Sequence, residues 1–260
     1  MSLAMNHFVH TLLEWFRENG RHLPWRETND PYAIWLSEVI LQQTRVEQGQ
    51  PYWERFMRRW PTVEQLAAAT EDEVLCEWQG LGYYSRARNL HMAAQQISQR
   101  GSFPSTMHDM KQLKGVGDYT AAAIASIAFG ETVAVVDGNV YRVLSRYYGI
   151  ETPINSTQGK KEFAALAQSL INTLSSGRET GDDASRYNQA LMDFGATLCT
   201  PLSPRCVQCP LNESCAALRD GRVEMLPVKI KTLKIKERHL IYIYIRYRGR
   251  ESQPSRDSPD

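Results

Sequence analysis

Four of the five cysteines in this 260-residue sequence fall in one short stretch, Cys199, Cys206, Cys209 and Cys215, spaced C-x6-C-x2-C-x5-C. Thiolates gathered this closely hold a metal in most proteins that have them. Pro201, Pro204 and Pro210 stiffen the intervening loops, leaving little entropy to lose on ligation. Four soft sulfur donors suit either zinc or an iron–sulfur cluster, and the spacing alone leaves both open. Disulfides are the competing reading, but no signal peptide or long apolar run is present. Both features point to the reducing cytoplasm, where structural disulfides are rare. The fifth cysteine, Cys76 in Glu73-Val74-Leu75-Cys76-Glu77-Trp78, reads as a core thiol.

Two carboxylates draw attention next. Glu38 is flanked by Trp35, Leu36, Val39, Ile40 and Leu41 on a strongly apolar helix, where an unpaired charge would be costly. Asp137 follows the apolar pair Val135-Val136 and stands at the mouth of a helix, where capping is the plain explanation. Glycosidic-bond cleavage needs one carboxyl group to protonate the leaving group and a second to stabilise oxocarbenium-like charge or handle the nucleophile. Glu38 and Asp137 could fill those roles. A third motif, Leu113-Lys114-Gly115-Val116-Gly117-Asp118-Tyr119-Thr120-Ala121, sets a Gly-x-Gly turn between two helices. Gly115 and Gly117 would let backbone N–H groups approach a phosphate, with the positive end of the next helix behind them. Such a turn binds DNA without reading sequence, although a plain helix connection has the same pattern.

The elements that must position these groups read as helices. From residue 5 to about 218, apolar positions recur three and four apart and strand-type alternation is absent, so the expected class is all-α. Phe8, Leu12, Leu13 and Phe16 mark a first amphipathic helix stopped near Gly20, and Asp30-Pro31 opens a second. Thr62-Val63-Glu64-Gln65 reads as a capping box, Ser85 as the cap of a helix through Leu90 and Ile97, and Asp118 as the cap of a small-residue helix closed by Gly130. Further helices are expected at about 139–148, 158–175 and 182–198. The Tyr119–Ala125 run is too short to span a membrane and reads as a tightly packed core helix.

Thirty Lys+Arg against 29 Asp+Glu give a net charge of +1, so contact with nucleic acid would need a local basic face. With 42% apolar residues, the chain is long enough for two lobes. After the cysteine loop its character changes: residues 228–237 are Lys-rich, and Leu240-Ile241-Tyr242-Ile243-Tyr244-Ile245 reads as one strand. The last residues, from 249, are nearly devoid of apolar side chains and should be disordered.

Taken together, the hairpin, the downstream aspartate and the four-cysteine loop resemble the helix-hairpin-helix DNA glycosylase superfamily, whose loop of this spacing holds a [4Fe–4S] cluster. Three segments narrow the likeness: Leu23-Pro24-Trp25-Arg26, Pro31-Tyr32-x-x-Trp35-Leu36-Ser37-Glu38-Val39-Ile40-Leu41-Gln42-Gln43-Thr44, and Gly80-Leu81-Gly82-Tyr83-Tyr84-x-Arg86-Ala87-Arg88-Asn89-Leu90. These look like the adenine DNA glycosylases of MutY type, over roughly residues 8–218. The resemblance implies a helical lobe at 26–133, a cluster lobe built from 1–25 and 134–220, a linker at 221–238, and the start of a Nudix-like domain with a tail at 239–260. It further implies a cytoplasmic, nucleoid-associated monomer with no membrane contact, acting on double-stranded DNA that carries A·8-oxoguanine or A·G mispairs.

Each role carries over only where a motif matches. Glu38 would protonate N7 of the flipped adenine, and Asp137 would stabilise the sugar cation beside Tyr119 and Asn139. Trp25, Arg26 and Leu41 would line the base pocket, Gln189 would meet the base edge, and Gln42 and Thr44 would flank the site. Gln43 and Tyr83, with Leu81, would enter the base stack, because flipping needs a wedge. Cys199, Cys206, Cys209 and Cys215 would hold the cluster as a structural staple, with Arg205 beside it for a phosphate. Bifunctional relatives carry a lysine where Tyr119 stands, and its amine attacks the sugar; a tyrosine there implies a monofunctional enzyme. Only the first strand of the Nudix-like domain is recognisable, which implies a weaker preference for 8-oxoguanine over guanine. Two alternatives remain: a thymine-excising G·T glycosylase of the same superfamily, and a non-catalytic DNA-binding scaffold with structural zinc.

Overall fold

A computed structural model describes residues 2–174, 182–230, 242–243, 246–247 and 250–251. Helices dominate as expected: α1 (Ser2–Asn19), α2 (Pro31–Ile40), α3 (Val46–Arg59), α4 (Val63–Ala68), α5 (Glu71–Trp78), α6 (Ser85–Arg100), α7 (Met107–Met110), α8 (Asp118–Phe129), α9 (Gly138–Tyr148), α10 (Thr157–Ile171), α11 (Asp182–Thr197) and α12 (Ala216–Arg219). Residues 1–229 pack as one compact unit and residues 230–260 as another.

Two buried clusters fill the larger unit. One gathers Trp35, Leu36, Ile40, Phe56, Leu66, Val74, Trp78 and Leu90 from α2 to α6. The other gathers Phe8 and Leu12 from α1 with Leu144, Phe163, Leu170, Tyr187 and Phe194 from α9 to α11. The helix α8 belongs to both, giving Ala121 and Ile124 to the first and Ala122 and Ala123 to the second. Its unbroken buried run from Thr120 to Ser126 explains the small-residue composition: a helix apolar all round has neighbours all round. Between α8 and α9, residues 131–136 run without helix or strand and deliver Asp137.

Several local expectations need correction. Tyr84, not Ser85, is the cap residue of α6, and Gly117, not Asp118, caps α8; in neither case does a side chain bond to the exposed amides. Lys111 occupies the Asp118 carboxylate at 2.5 Å, removing it from capping. Thr62 does cap α4 through the Gln65 amide, but the reciprocal box forms at Thr70 and Glu73. Cys76 is exposed rather than buried, because Val74 and Trp78 take the inward face of α5. Residues 221–229, expected in the linker, pack on the helical unit: Leu226 is buried, and the Val228 carbonyl accepts from the Ile154 amide. In the smaller unit, β1 (Arg246–Tyr247) pairs antiparallel with β2 (Arg250–Glu251). The strand expected at 240–245 lies outside the described residues except for Tyr242 and Ile243, which are exposed and not in a strand. The tail expected from 249 is likewise outside them, apart from β2.

Candidate active site

A cavity of about 440 Å³ opens between α2, α8, α9 and α11, and Trp25, Arg26, Glu38, Leu41, Gln42, Thr44, Tyr119, Asp137, Asn139 and Gln189 all line it. Each acid sits where its helix puts it. Glu38 falls on α2 one turn from the buried Ile34, and the Tyr119 hydroxyl, from the first turn of α8, donates to its Oε2 at 2.7 Å. Burial pushes the Glu38 carboxyl above the usual carboxylate range; the Tyr119 bond pulls it partly back, Asp137 pushes it up again, and Arg26 opposes. Glu38 therefore keeps its proton to higher pH than an exposed glutamate, as a general acid must.

Asp137 is the N-cap of α9 and a cavity wall at once. Its Oδ1 accepts from the Val140 amide at 2.7 Å, and its Oδ2 accepts from Asn139 Nδ2 at 2.7 Å. Burial raises its pKa, while those bonds and the Arg142 guanidinium work against the rise. The carboxylate is thus fixed in direction. Asn139 is oriented in turn by Arg142, whose Nη2 donates to Asn139 Oδ1 at 2.8 Å and to the Gly195 carbonyl at 2.7 Å, and whose Nε donates to the Cys199 carbonyl at 2.7 Å. Here α11 runs backbone against backbone with α9: a Cβ on Gly195 would lie 2.6 Å from that of Asn139.

The mouth of the cavity depends on a buried carboxylate absent from the sequence reading. Asp193 on α11 has no exposed side-chain surface. Arg26 clamps it with bonds of 2.7 and 2.8 Å, and Arg21 adds its backbone amide at 3.0 Å and two side-chain bonds at 2.9 and 2.5 Å. Burial would raise the Asp193 pKa, but the bonds to Arg26 and then Arg21 outweigh it and hold the group below its usual value. The short turn Pro24–Arg26 is thereby pinned on α11, and Trp25 packs edge-on against Trp53 at 5.6 Å.

The sequence of the site has counterparts elsewhere. Residues 36–172 match the HhH-GPD superfamily of base excision DNA repair proteins. The adenine DNA glycosylase of Buchnera aphidicola (Schizaphis graminum) is 35% identical over 245 residues, covering 93% of this chain and 68% of that protein. The chain belongs to the adenine DNA glycosylase family. The human adenine DNA glycosylase is 43% identical over 230 residues, and the chain spans only 41% of its length. Among solved structures, a thermostable thymine-DNA glycosylase aligns with TM-score 0.74 and 29% identity over 83% of this chain and 97% of that one. A DNA complex of endonuclease III aligns at 0.69 with 20% identity over 85% and 98%, a likeness of fold.

Other residues picked out by the family motifs lie away from the cavity. Gln43 and Tyr83 are exposed, and both adopt left-handed backbone, φ 57° and 49°. Arg86 ties their two turns together: it donates to the carbonyls of Val39, Ile40 and Gln42 and to that of Leu81, and lies 5.5 Å from the Tyr83 ring. Leu81, expected beside them in the stack, is instead 6% exposed and packs in the α2–α6 core, where it anchors the turn that presents Tyr83. In the hairpin, Gly115 needs its glycine, with φ 76° and Asn89 2.7 Å from any added Cβ. Gly117 has ordinary extended backbone and open space in front of it, room for a ligand.

All four loop cysteines are free thiols lining one cavity with Arg146 and Leu198. Burial pushes Cys209 up to about 12, against a backbone hydrogen bond and with the neighbouring thiols adding to the rise. Burial likewise raises the Cys206 and Cys215 thiols, so these three resist carrying negative charge until a cation arrives. Among the described residues, no group of three or more His, Cys, Asp or Glu is arranged around a single ion. Arg146 donates to Cys199 Sγ at 3.4 Å and to the Thr200 carbonyl at 2.7 Å, so α9 grips the loop at one end and holds Asp137 at the other. Arg205 is exposed. No described helix is long and apolar enough to cross a membrane.

Proposed function

We propose that this chain is a monofunctional DNA glycosylase that removes adenine opposite 8-oxoguanine or guanine in duplex DNA by hydrolysing the N-glycosidic bond. The observation that carries the reading is the pairing, inside one base-sized cavity, of a half-buried Glu38, hydrogen-bonded to Tyr119, with a separately fixed Asp137. Glu38 delivers its proton to N7 of the flipped base, which weakens the bond to the sugar. The Tyr119 hydroxyl orients that carboxyl. Asp137, held by Val140 and Asn139, faces the sugar cation that develops and steadies it electrostatically. Trp25, Leu41, Gln42, Thr44 and Gln189 surround the base, while Gln43 and Tyr83 hold the duplex open. No lysine is among the residues that line the cavity, which supports base release without Schiff-base chemistry.

Cys199, Cys206, Cys209 and Cys215 fit a [4Fe–4S] cluster: they bring four thiolate donors to one shared cavity, the ligand set that such a cluster takes. Bound there, the cluster supplies structural cross-linking rather than chemistry at the sugar. Gly115 and Gly117 at the α8 N-terminus, and Arg205 beside the cysteine loop, supply phosphate contacts.

Single-turnover assays on A·8-oxoguanine, A·G and G·T duplexes test the proposal. Free adenine from the first two, lost in Glu38→Gln and Asp137→Asn, is the expected result. Thymine released from G·T, with adenine retained, would transfer the chain to the activity of its 29%-identical structural neighbour. A borohydride-trapped adduct dependent on a hairpin residue would refute monofunctionality.

A further inference from the structure

The segment that delivers Asp137, residues 131–136, is neither helix nor strand. Its backbone groups would otherwise be orphaned in a partly buried setting, and two side-chain amides take them instead. On one edge, Gln168 of α10 accepts from the Ala134 amide at 3.1 Å and donates to the Thr132 carbonyl at 2.9 Å. On the other, Asn188 of α11 accepts from the Val135 amide at 3.0 Å and donates to the Val133 carbonyl at 2.9 Å. Each amide bonds the carbonyl of one residue and the N–H of the residue two further on, the same pattern a residue of a parallel neighbouring strand provides. The two edges differ in burial. Gln168 is half-buried, whereas Asn188 is 1% exposed and its Nδ2 also donates to the buried Ser126 hydroxyl of α8 at 2.7 Å.

We infer that Asn188 is a positioning residue for the glycosylase reaction: its amide stands in for a missing strand and fixes the height at which Asp137 enters the cavity. The inference rests on the role proposed for Asp137. Val135, which Asn188 holds, is itself 1% exposed and lies two residues before that carboxylate. Only Val136 separates Val135 from Asp137, so a shift at Val135 passes along two peptide units to the acid. An aspartate there would keep the acceptor for Val135 while losing both amide donations. The neighbouring Gln189 faces the cavity, so adjacent residues on α11 divide base contact from backbone support.

The test compares the parent chain with Asn188→Asp and Asn188→Ala in two measurements: affinity for an uncleavable substrate-analogue duplex, and the single-turnover rate of adenine release. The expected result is a rate at least tenfold lower in both variants at a duplex affinity within threefold of the parent. General loss of structure would lower both quantities together; only displacement of the acid separates them. Asn188→Asp is near-isosteric and decides the matter if the alanine variant unfolds. Parental rates in the aspartate variant would overturn the inference, as would rate and affinity falling in parallel. Adenine release by the parent reports separately on the proposed function, since the inference is read only from variant-to-parent ratios.

Discussion

Replacing Asp193 by asparagine removes the one charge that two arginines share. Five hydrogen bonds converge on that carboxylate, three from Arg21 and two from Arg26. The isosteric amide keeps one acceptor oxygen but turns an NH₂ toward a guanidinium, so donor faces donor. Breaking a buried ion pair from one side costs about 3–5 kcal/mol. Arg21 has 33% of its side chain exposed and water screens part of its share, which argues for the lower end, about 3 kcal/mol. For a chain of this size, each kcal/mol moves the melting temperature by about 2–4 °C, so the variant should melt roughly 6–12 °C below the parent. The pH dependence has a definite sign. Asp193 is held below its usual pKa in the folded chain, so its contribution is complete above the unfolded value, about 3.9, and is lost only as pH falls through the folded one. Melting of the cofactor-loaded protein followed by circular dichroism from pH 8 down to 5 should show a constant gap. A gap under about 3 °C, or one that closes between pH 8 and 5, would refute the account, since neither is compatible with a carboxylate buried and fully paired.

Three further outcomes follow from the site. Glu38→Gln should slow adenine release by roughly 10²–10⁴-fold. It should also melt higher than the parent at pH 8 but not at pH 4, because a carboxyl with a raised folded pKa stabilises fully only below its unfolded value and loses that contribution as pH rises; equal gaps at both pH values would contradict the burial of Glu38. Tyr83→Ala, at a side chain 66% exposed, should leave melting nearly unchanged while weakening base unstacking, read by 2-aminopurine fluorescence, by the about 1–3 kcal/mol that stacking contributes. Cys209→Ser should lose visible absorbance and soluble yield together, and a colourless parent containing one zinc would reverse the cofactor assignment.

The order of the helices was legible because apolar spacing and punctuation agreed: Asp30-Pro31 opens α2, and Gly130 and Gly149 close α8 and α9 in left-handed backbone. Caps were legible only to within a residue, since Ser85 and Asp118 have the right chemistry but stand one place inside their helices. Glu38 was found because a carboxylate in an apolar helix demands a reason. The same criterion applies to Asp193 in Ala190-Leu191-Met192-Asp193-Phe194, whose setting is just as apolar. Arg86, Arg142 and Asn188 gave no comparable signal. Each bonds mainly to backbone carbonyls or amides from distant parts of the chain, and sequence pattern does not encode where a carbonyl will point. Leu81 misled for the opposite reason: its loop motif suggested exposure, while its side chain had a core to join.

Gly195 gives the molecule an unusual sensitivity to its smallest possible change. Within a helix alanine ordinarily improves on glycine by up to about 1 kcal/mol, and any scale of residue similarity would rate the exchange in the last turn of α11 as harmless. At this position the added methyl meets Asn139 Cβ at 2.6 Å and the Asn139 backbone at 3.1 Å, and α9 must retreat to admit it. The turn that retreats is the one carrying Asp137. Grading variants by charge, polarity or bulk would pass over this one, although a single carbon atom on α11 would displace the turn that presents Asp137.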